Sequence, residues 1–405
     1  MTSSRARRLL PLVLATTATQ ASIVVLAPLL VEIGRDLGAS VSAVGVARSV
    51  LAGTAFAGSL AIGPLIDRIG VRPLIVRGSL LALAGVVATA ASPSLLVFYA
   101  AHVITGVGVA CLLSAGFAGV ASYFDRGGEM TWAMGYVVGA QSLAWILGNP
   151  IVGTLADAGS WRLAYAVPAA VCVAALVAGL SLRPEAGLVA ANDEPDSIRD
   201  GLAAVFSDRS ARRWAIAELV SYAAWTAELT YAGAFYIEQY GVSTTTVGVL
   251  LAVGSVVFLT MSLNTARLTA RFPRRPLIVL CGFGMGVVLI PILNWAPAVS
   301  VTLALFCLMA VFAGVRSAGS STLGLEQLPG RPGAMMGART ASAQLGYMIG
   351  AAGGGLVIAL WGFGTLGFVL FLGMASSAYL LLGVRDPWVD GSGTVRERLP
   401  EPVPD

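Results

Sequence analysis

Long apolar runs, separated by short clusters rich in arginine, glycine and proline, fill the chain from residue 9 to residue 384. An α-helix rises 1.5 Å per residue, so about 20 mostly apolar residues cross the hydrocarbon of a bilayer. Windows of that size predict twelve helices, near 9–31, 42–64, 74–91, 94–120, 131–156, 161–182, 213–236, 243–266, 276–295, 298–323, 334–359 and 363–384. The first follows Arg5, Arg7 and Arg8, as the core of a secretory signal does. Its run is longer than a signal core, however, and the runs after it are just as apolar.

Composition agrees with that pattern. Hydrophobic residues make up 57% of the 405 and charged ones 11%, where a soluble domain carries about 25% charged. Too little charge remains to coat a soluble surface, so lipid must cover much of the molecule. Every basic residue is an arginine, and most arginines fall at one set of helix ends, including Arg68, Arg72, Arg77, Arg126, Arg183, Arg209, Arg212, Arg271, Arg274, Arg331, Arg339 and Arg385. Arg35, Arg48 and Arg162 fall at or near the opposite ends. The inside-positive bias places that richer side, and both termini, in the cytoplasm of a cell whose inner membrane holds the chain. Short arginine loops do not form a basic face, so no nucleic-acid partner is expected. Cys111, Cys172, Cys281 and Cys307 lie in apolar runs with neither metal-ligand nor disulfide spacing. With no nucleophile elbow or phosphate loop either, no enzyme, cofactor or metal site is expected.

The chain repeats itself. Arg72 to Val76 reads RPLIV, and Arg275 to Val279 reads RPLIV again. A glycine-rich stretch at 148–153 recurs at nearly the same offset, at 350–355. Two parallel six-helix halves are a known transporter design. The expected architecture is an all-α membrane protein of twelve transmembrane helices in two pseudo-symmetric six-helix bundles. The first half spans 1–183, a cytoplasmic linker 184–212 (with a short surface helix near 196–206) follows, and the second half spans 213–386. The charged, proline-rich tail 387–405 is expected to be disordered.

Gly63-Pro-Leu-Ile-Asp-Arg-Ile-Gly-Val-Arg72 resembles the loop motif G-x-L-x-D-R-x-G-x-R of the major facilitator superfamily, with matches at Gly63, Leu65, Asp67, Arg68, Gly70 and Arg72. The resemblance implies an inner gate latched by Asp67, Arg68 and Arg72. In the second half the counterparts of Gly63 and Asp67 are Ala266 and Ala270, so a second latch is not expected. Gly148, Asn149, Pro150 and Gly153 in the fifth helix are similar to the family's antiporter motif, although Asn149, Thr154 and Trp145 depart from it. Plain packing of small residues explains those glycines as well. In the fourth helix His102, the chain's one histidine, stands where the family carries arginine.

Charges within spanning helices need partners or water. Arg48, His102, Glu218, Glu228 and Arg316 are such charges. On the wheel of the seventh helix Glu218, Ser221, Tyr222, Trp225 and Glu228 form one stripe about 120° wide, expected to face a central cavity. Depth counting suggests an outer layer of Arg48, His102 and Glu228 and an inner layer of Glu218 and Arg316. His102 and Glu228 are candidates for a titrating pair, and Gln20 for a substrate contact. The resemblance implies a monomeric secondary transporter, a proton-coupled antiporter exporting drug-like amphipathic small molecules by alternating access. An organic-anion carrier using Arg48 and Arg316, or a lipid flippase, is the competing expectation.

Overall fold

The computed structural model describes residues 3–124, 128–182, 198–269, 271–295, 297–328 and 331–386. Residues 184–197 of the expected linker and the whole tail 387–405 lie outside the described residues, as do the side chains of 63–68. Among the described residues every regular element is an α-helix: α1 (Ser3–Val24), α2 (Leu26–Leu37), α3 (Val41–Ile69), α4 (Val71–Ala90), α5 (Leu95–Tyr123), α6 (Gly128–Ala158), α7 (Trp161–Ala164), α8 (Ala166–Ser181), α9 (Ile198–Ser207), α10 (Arg209–Tyr240), α11 (Thr244–Thr269), α12 (Arg274–Asn294), α13 (Val299–Leu325) and α14 (Pro332–Leu382).

The first predicted helix is not one straight rod. α1 and α2 meet at Val25 with a bend of 42°. Pro28 stands one turn later. It has no N–H to offer the Val24 carbonyl, and its ring crowds that carbonyl, so the helix breaks there. At Gly362 (φ 79°) a left-handed residue divides α14 in two, close to the boundary expected between the last two runs. Among the described residues eight helices are long and apolar enough to cross a bilayer, nine with α1 and α2 joined. Dividing α14 makes ten, and the 31-residue α6 and 32-residue α10 are long enough to span but lie outside that count. Helix α9 occupies the surface segment expected near 196–206 and packs on α10 and α14.

The helices pack as two similar sets. In the first, α4 and α3 pack on α5, α1 packs on α6, α5 and α8, and α8 on α4. In the second, α12 and α11 pack on α13, and α10 and α12 pack on α14. Three seams join the sets: α3 with α14, α6 with α11, and α2 with α10. The repeated RPLIV has one role in both sets. Arg72 Nη2 donates to the Leu180 carbonyl at 3.1 Å, at the end of α8. Arg275 Nη1 donates to the Val384 carbonyl at 3.2 Å, just past α14. A cation on terminal carbonyls satisfies groups that lack helical partners and opposes the negative end of the helix dipole. Outward, large apolar side chains such as Leu96, Leu263, Leu280 and Trp361 are exposed on many helices, a surface suited to lipid.

Candidate functional site

For geometry, the face at which α1 begins is called the near face, and the face at which α2 ends the far face. At the far face the seams are tight. Asp157, at the end of α6, accepts from the first backbone N–H groups of α11: Thr244 N at 3.2 Å and Thr245 N at 2.8 Å. The Thr244 hydroxyl donates to Glu32 of α2. One carboxylate of the first set, Asp157, thus caps a helix N-terminus of the second, where N–H groups are unsatisfied and the dipole is positive, and a second, Glu32, holds the first side chain of that helix. Gly248 of α11 lies so close to α6 that a Cβ would press on the Asn149 carbonyl and come within 3.0 Å of Pro150 Cα. At Gly153 a Cβ would come within 2.8 Å of Thr245 Cα. Asn149, Pro150 and Gly153 therefore form a close helix crossing, the packing explanation of that motif; a Cβ on Gly148 would meet only an ordinary contact with Val24. Tyr231 of α10 donates to the Ala351 carbonyl at 2.8 Å and reaches the Ser42 carbonyl of α3 at 3.5 Å. Toward the near face a cavity of about 380 Å3 lies along the α6–α11 seam, lined by Val13, Trp132, Gly135, Tyr136, Gly139, Ala140, Leu143 and Leu259.

Between these ends the expected α10 stripe divides, because 120° of helix surface is wider than one crevice. Glu218 is fully buried, and its Oε1 accepts from Arg316 Nη2 and from Ser320 Oγ, each at 2.9 Å. Arg316 Nη2 also donates to Ser377 Oγ at 3.2 Å. The expected inner layer is thus a direct ion pair, made wholly among α10, α13 and α14. Ser221 is buried beside Met374. Glu228 turns the same way, into a cavity of about 10 Å3 lined by Tyr231, Phe235, Tyr236, Phe306 and Phe363 among others, and its Oε2 has no hydrogen-bond partner. That space is about one water's worth. Tyr222 and Trp225, on the other edge, are half-buried, and Trp225 packs on Phe258 of α11 at 5.7 Å.

The expected outer layer is not one cluster. His102 Nδ1 donates to the Phe98 carbonyl at 2.8 Å and its ring lies 4.5 Å from that of Phe98. Its charged neighbour is Arg48, whereas the cavity around Glu228 is lined by residues of the second set. The two candidates for a titrating pair are therefore held apart. Gln20 is fully engaged within the first set: its Nε2 donates to Gln141 Oε1 at 2.9 Å and its Oε1 accepts from Trp145 Nε1 at 3.1 Å. The tryptophan that replaces a motif glycine holds this glutamine in place. Of the loop motif, Gly70 takes φ 80° as the residue before α4, which favours glycine. Arg72 ties to α8, and the side chains of Asp67 and Arg68 lie outside those described.

One line of residues crosses the α3–α14 seam. The Arg48 guanidinium sits 5.5 Å from the Tyr347 ring centre, Tyr347 meets Tyr222 edge-on at 5.6 Å, and the Arg339 guanidinium sits 5.7 Å from the Tyr222 ring. All four side chains are half-buried. Arg339, counted from sequence among arginines at the near-face helix ends, lies instead within α14 and points inward.

The sequence profile of the Major Facilitator Superfamily matches residues 12–269 and 214–403. The chain belongs to that superfamily. It is accordingly a multi-pass membrane transporter, a carrier and not an enzyme. Among its relatives are the Multidrug resistance proteins MdtH of Aeromonas salmonicida (strain A449) and Aeromonas hydrophila subsp. hydrophila, each 29% identical over 306 residues, which is 72% of both chains. The fold is shared with a D-xylose-proton symporter (TM-score 0.77, 15% identity, covering 94% of this chain and 98% of that one) and with a point mutant of the nucleoside transporter NupG (TM-score 0.77, 12% identity, covering 93% and 98%). Within this superfamily member, sequence reasoning missed Tyr347, Arg339, Gln141 and Asp157. Arg339 and Tyr347 stand two turns apart on one helix face, a signal that was legible. Asp157 gave none, since only the folded seam shows what it caps.

Proposed function

We propose that this chain exports amphipathic, drug-like small molecules from the cytoplasm by alternating access, driven by proton entry. The observation that carries the reading is a polar and aromatic line, Arg48 to Tyr347 to Tyr222 to Arg339, contributed by both helix sets at mid-depth. Around it the far-face seams are closed by carboxylate caps and glycine contacts. The units that rock are 1–183 and 213–386, joined by 184–212, with α6 and α10 counted as membrane spans. The arginine bias makes the near face cytoplasmic, so this state is closed to the outside. The relatives' name, multidrug resistance protein, supports an amphipathic cargo.

Glu228 is the proposed proton carrier. A lone carboxylate is costly within a membrane, and this one has an oxygen without a partner beside room for one water. Its ionisation is then tied to whether the cavity is wet, which changes as the sets rock. The loop carboxylate Asp67 is proposed to latch the inner gate.

Flux of a panel of fluorescent amphiphiles in proteoliposomes, with and without a proton gradient, tests the reading. Gradient-driven movement is expected, lost in Glu228→Gln and strongly reduced in Asp67→Asn while both variants stay folded. Movement that ignores the gradient removes the coupling claim, and wild-type flux in Asp67→Asn removes the latch. Cysteines placed at the exposed Ser94 and Ser207 test sidedness: an impermeant reagent applied to intact cells should label the first and spare the second.

A further inference from the structure

We propose that the seam between α3 and α14 holds a binding site for the anionic group of an aromatic substrate, with Arg48 and Arg339 as its cations and Tyr222 and Tyr347 as its walls. This deepens the export reading and rests on it for the site's use in transport. The charge balance points to it. Among the described residues, the charged groups that bear on this line are Arg48, Arg339, Arg316, Glu218 and His102. Glu218 is the one acid, and its Oε1 is committed to Arg316 and Ser320. Arg48 and Arg339 meet aromatic rings and no carboxylate, and the buried Nε of Arg339 has no hydrogen-bond partner. A guanidinium over one tyrosine ring gains less than it loses by leaving water for the middle of a membrane protein. Two such cations on one seam leave it with excess positive charge, which an anion relieves.

The geometry also suits the ligand. Guanidinium N–H groups form a planar fork that matches a carboxylate or sulfonate in paired hydrogen bonds. Tyr222 and Tyr347 stand edge to face between the two forks and offer an aromatic body ring faces and edges to stack on. Arg48 belongs to the first set and Arg339 to the second, so a bound anion touches both moving units. It can be held by one fork as the other turns away. Arg316, the cation expected from sequence to take this role, is already neutralised by Glu218.

Three probes of nearly equal shape test the charge preference: 2-naphthoate, its neutral amide 2-naphthamide, and 2-naphthylmethylammonium. Their binding to the purified full chain in detergent is measured by calorimetry. Naphthoate should bind at least about tenfold more tightly than the amide, and the ammonium least. Arg48→Gln and Arg339→Gln should each weaken naphthoate roughly tenfold, the scale of one charged hydrogen bond, and leave the amide unchanged. Arg48→Lys and Arg339→Lys should recover part of the loss, which separates a ligand contact from damage to the fold. Equal binding of the three, no measurable binding of naphthoate, or preference for the ammonium overturns the site. Charge-selective binding with no flux of any amphiphile in vesicles keeps the site and overturns the export reading. Flux of amphiphiles, naphthoate included, that is indifferent to both Gln variants, with equal binding of the three probes, does the reverse.

Discussion

The inside of the second helix set and the seam between the two sets treat charge in opposite ways. Inside the set, Glu218 and Arg316 are buried, paired at 2.9 Å and backed by Ser320 and Ser377. At the seam, Arg48 of the first set lies over Tyr347 of the second without an acid, and Asp157 and Glu32 spend their carboxylates on the end of a helix from the other set. Rocking explains the difference. A group whose partners belong to its own rigid unit keeps them in every state, so its pairing can be permanent. A group facing the other unit loses its contacts once per cycle. It must tolerate that, so the seam is built from caps, glycine contacts and cation–ring pairs that each hold weakly.

The largest expected effect comes from breaking the interior pair. Glu218→Gln or Arg316→Gln leaves one buried charge without its partner, which costs about 3–5 kcal/mol. Thermal unfolding in detergent should show both single variants strongly destabilised. The double variant Glu218→Gln with Arg316→Gln should recover much of the loss, because no lone charge remains. Arg48→Gln and Arg339→Gln should unfold close to wild type. Equal losses at all four positions would erase the contrast between interior and seam.

Overpacking the seam comes next. Gly248→Ala sets a methyl against the backbone of Asn149 and Pro150, where neither atom belongs to a side chain that can swing away. Forcing such a contact costs about 1–3 kcal/mol. Because α6 and α11 belong to different units, the crossing yields by separating. The variant should favour the far-open state, read as faster maleimide labelling of Ser42→Cys in a Cys307→Ser background. Unchanged labelling with lowered stability would make this crossing part of a rigid interior.

Much of the fold was legible in the sequence, because a bilayer makes strict demands. Run length gave the helices, the paired RPLIV gave the two sets, and breaks at Gly38, Gly241 and Gly362 fall where the apolar runs end. The bend at Val25 was also written, in Pro28, though an apolar run conceals it. The site was legible only by residue type. Arg48, Glu218, Glu228 and Arg316 stood out as charges in apolar helices, and depth placed Glu218 and Arg316 in one layer without pairing them. The separation of His102 from Glu228 did not follow, since equal depth says nothing about which way two helices turn. Tyr347 escaped notice because a tyrosine in an apolar run is ordinary until a cation from another helix is placed over it.

A smaller shift is expected from the far-face cap. Asp157→Asn keeps the shape and some hydrogen bonding but removes the charge facing the α11 dipole. A negative charge facing a helix N-terminus is worth about 0.3–1 kcal/mol, so the far-closed state should lose roughly two- to fivefold in population relative to the far-open one. The same Ser42→Cys labelling reads it, and stability should stay nearly constant, unlike in Glu218→Gln. The matched control is Asp208, which caps α10 within its own unit through Ser210 N at 2.9 Å and Ala211 N at 2.8 Å. Asp208→Asn should lower stability slightly, by the charge it removes from the α10 dipole, and leave labelling alone.

The smallest effect tests whether the repeat is mechanical as well as visual. Arg72 and Arg275 each reach from the start of a third helix in their set to a carbonyl at the end of the sixth. Each bond lies within one unit, so neither should change when the sets rock. Replacing either arginine by glutamine removes one hydrogen bond to a helix end, about 0.5–1.5 kcal/mol, and should lower the unfolding temperature slightly. Arg275 has a second tie, its backbone N–H donating to Asp386 Oδ2 at 2.9 Å, and that bond survives the substitution. The loss at Arg275 should therefore be no greater than at Arg72. Seam labelling should be wild type in both, because the repeated arginines clamp each set closed on itself and have no contact to break at the crevice. Altered labelling in Arg72→Gln alone would assign that arginine to the gate with Asp67, and the two copies of RPLIV would then have parted in function while keeping one geometry.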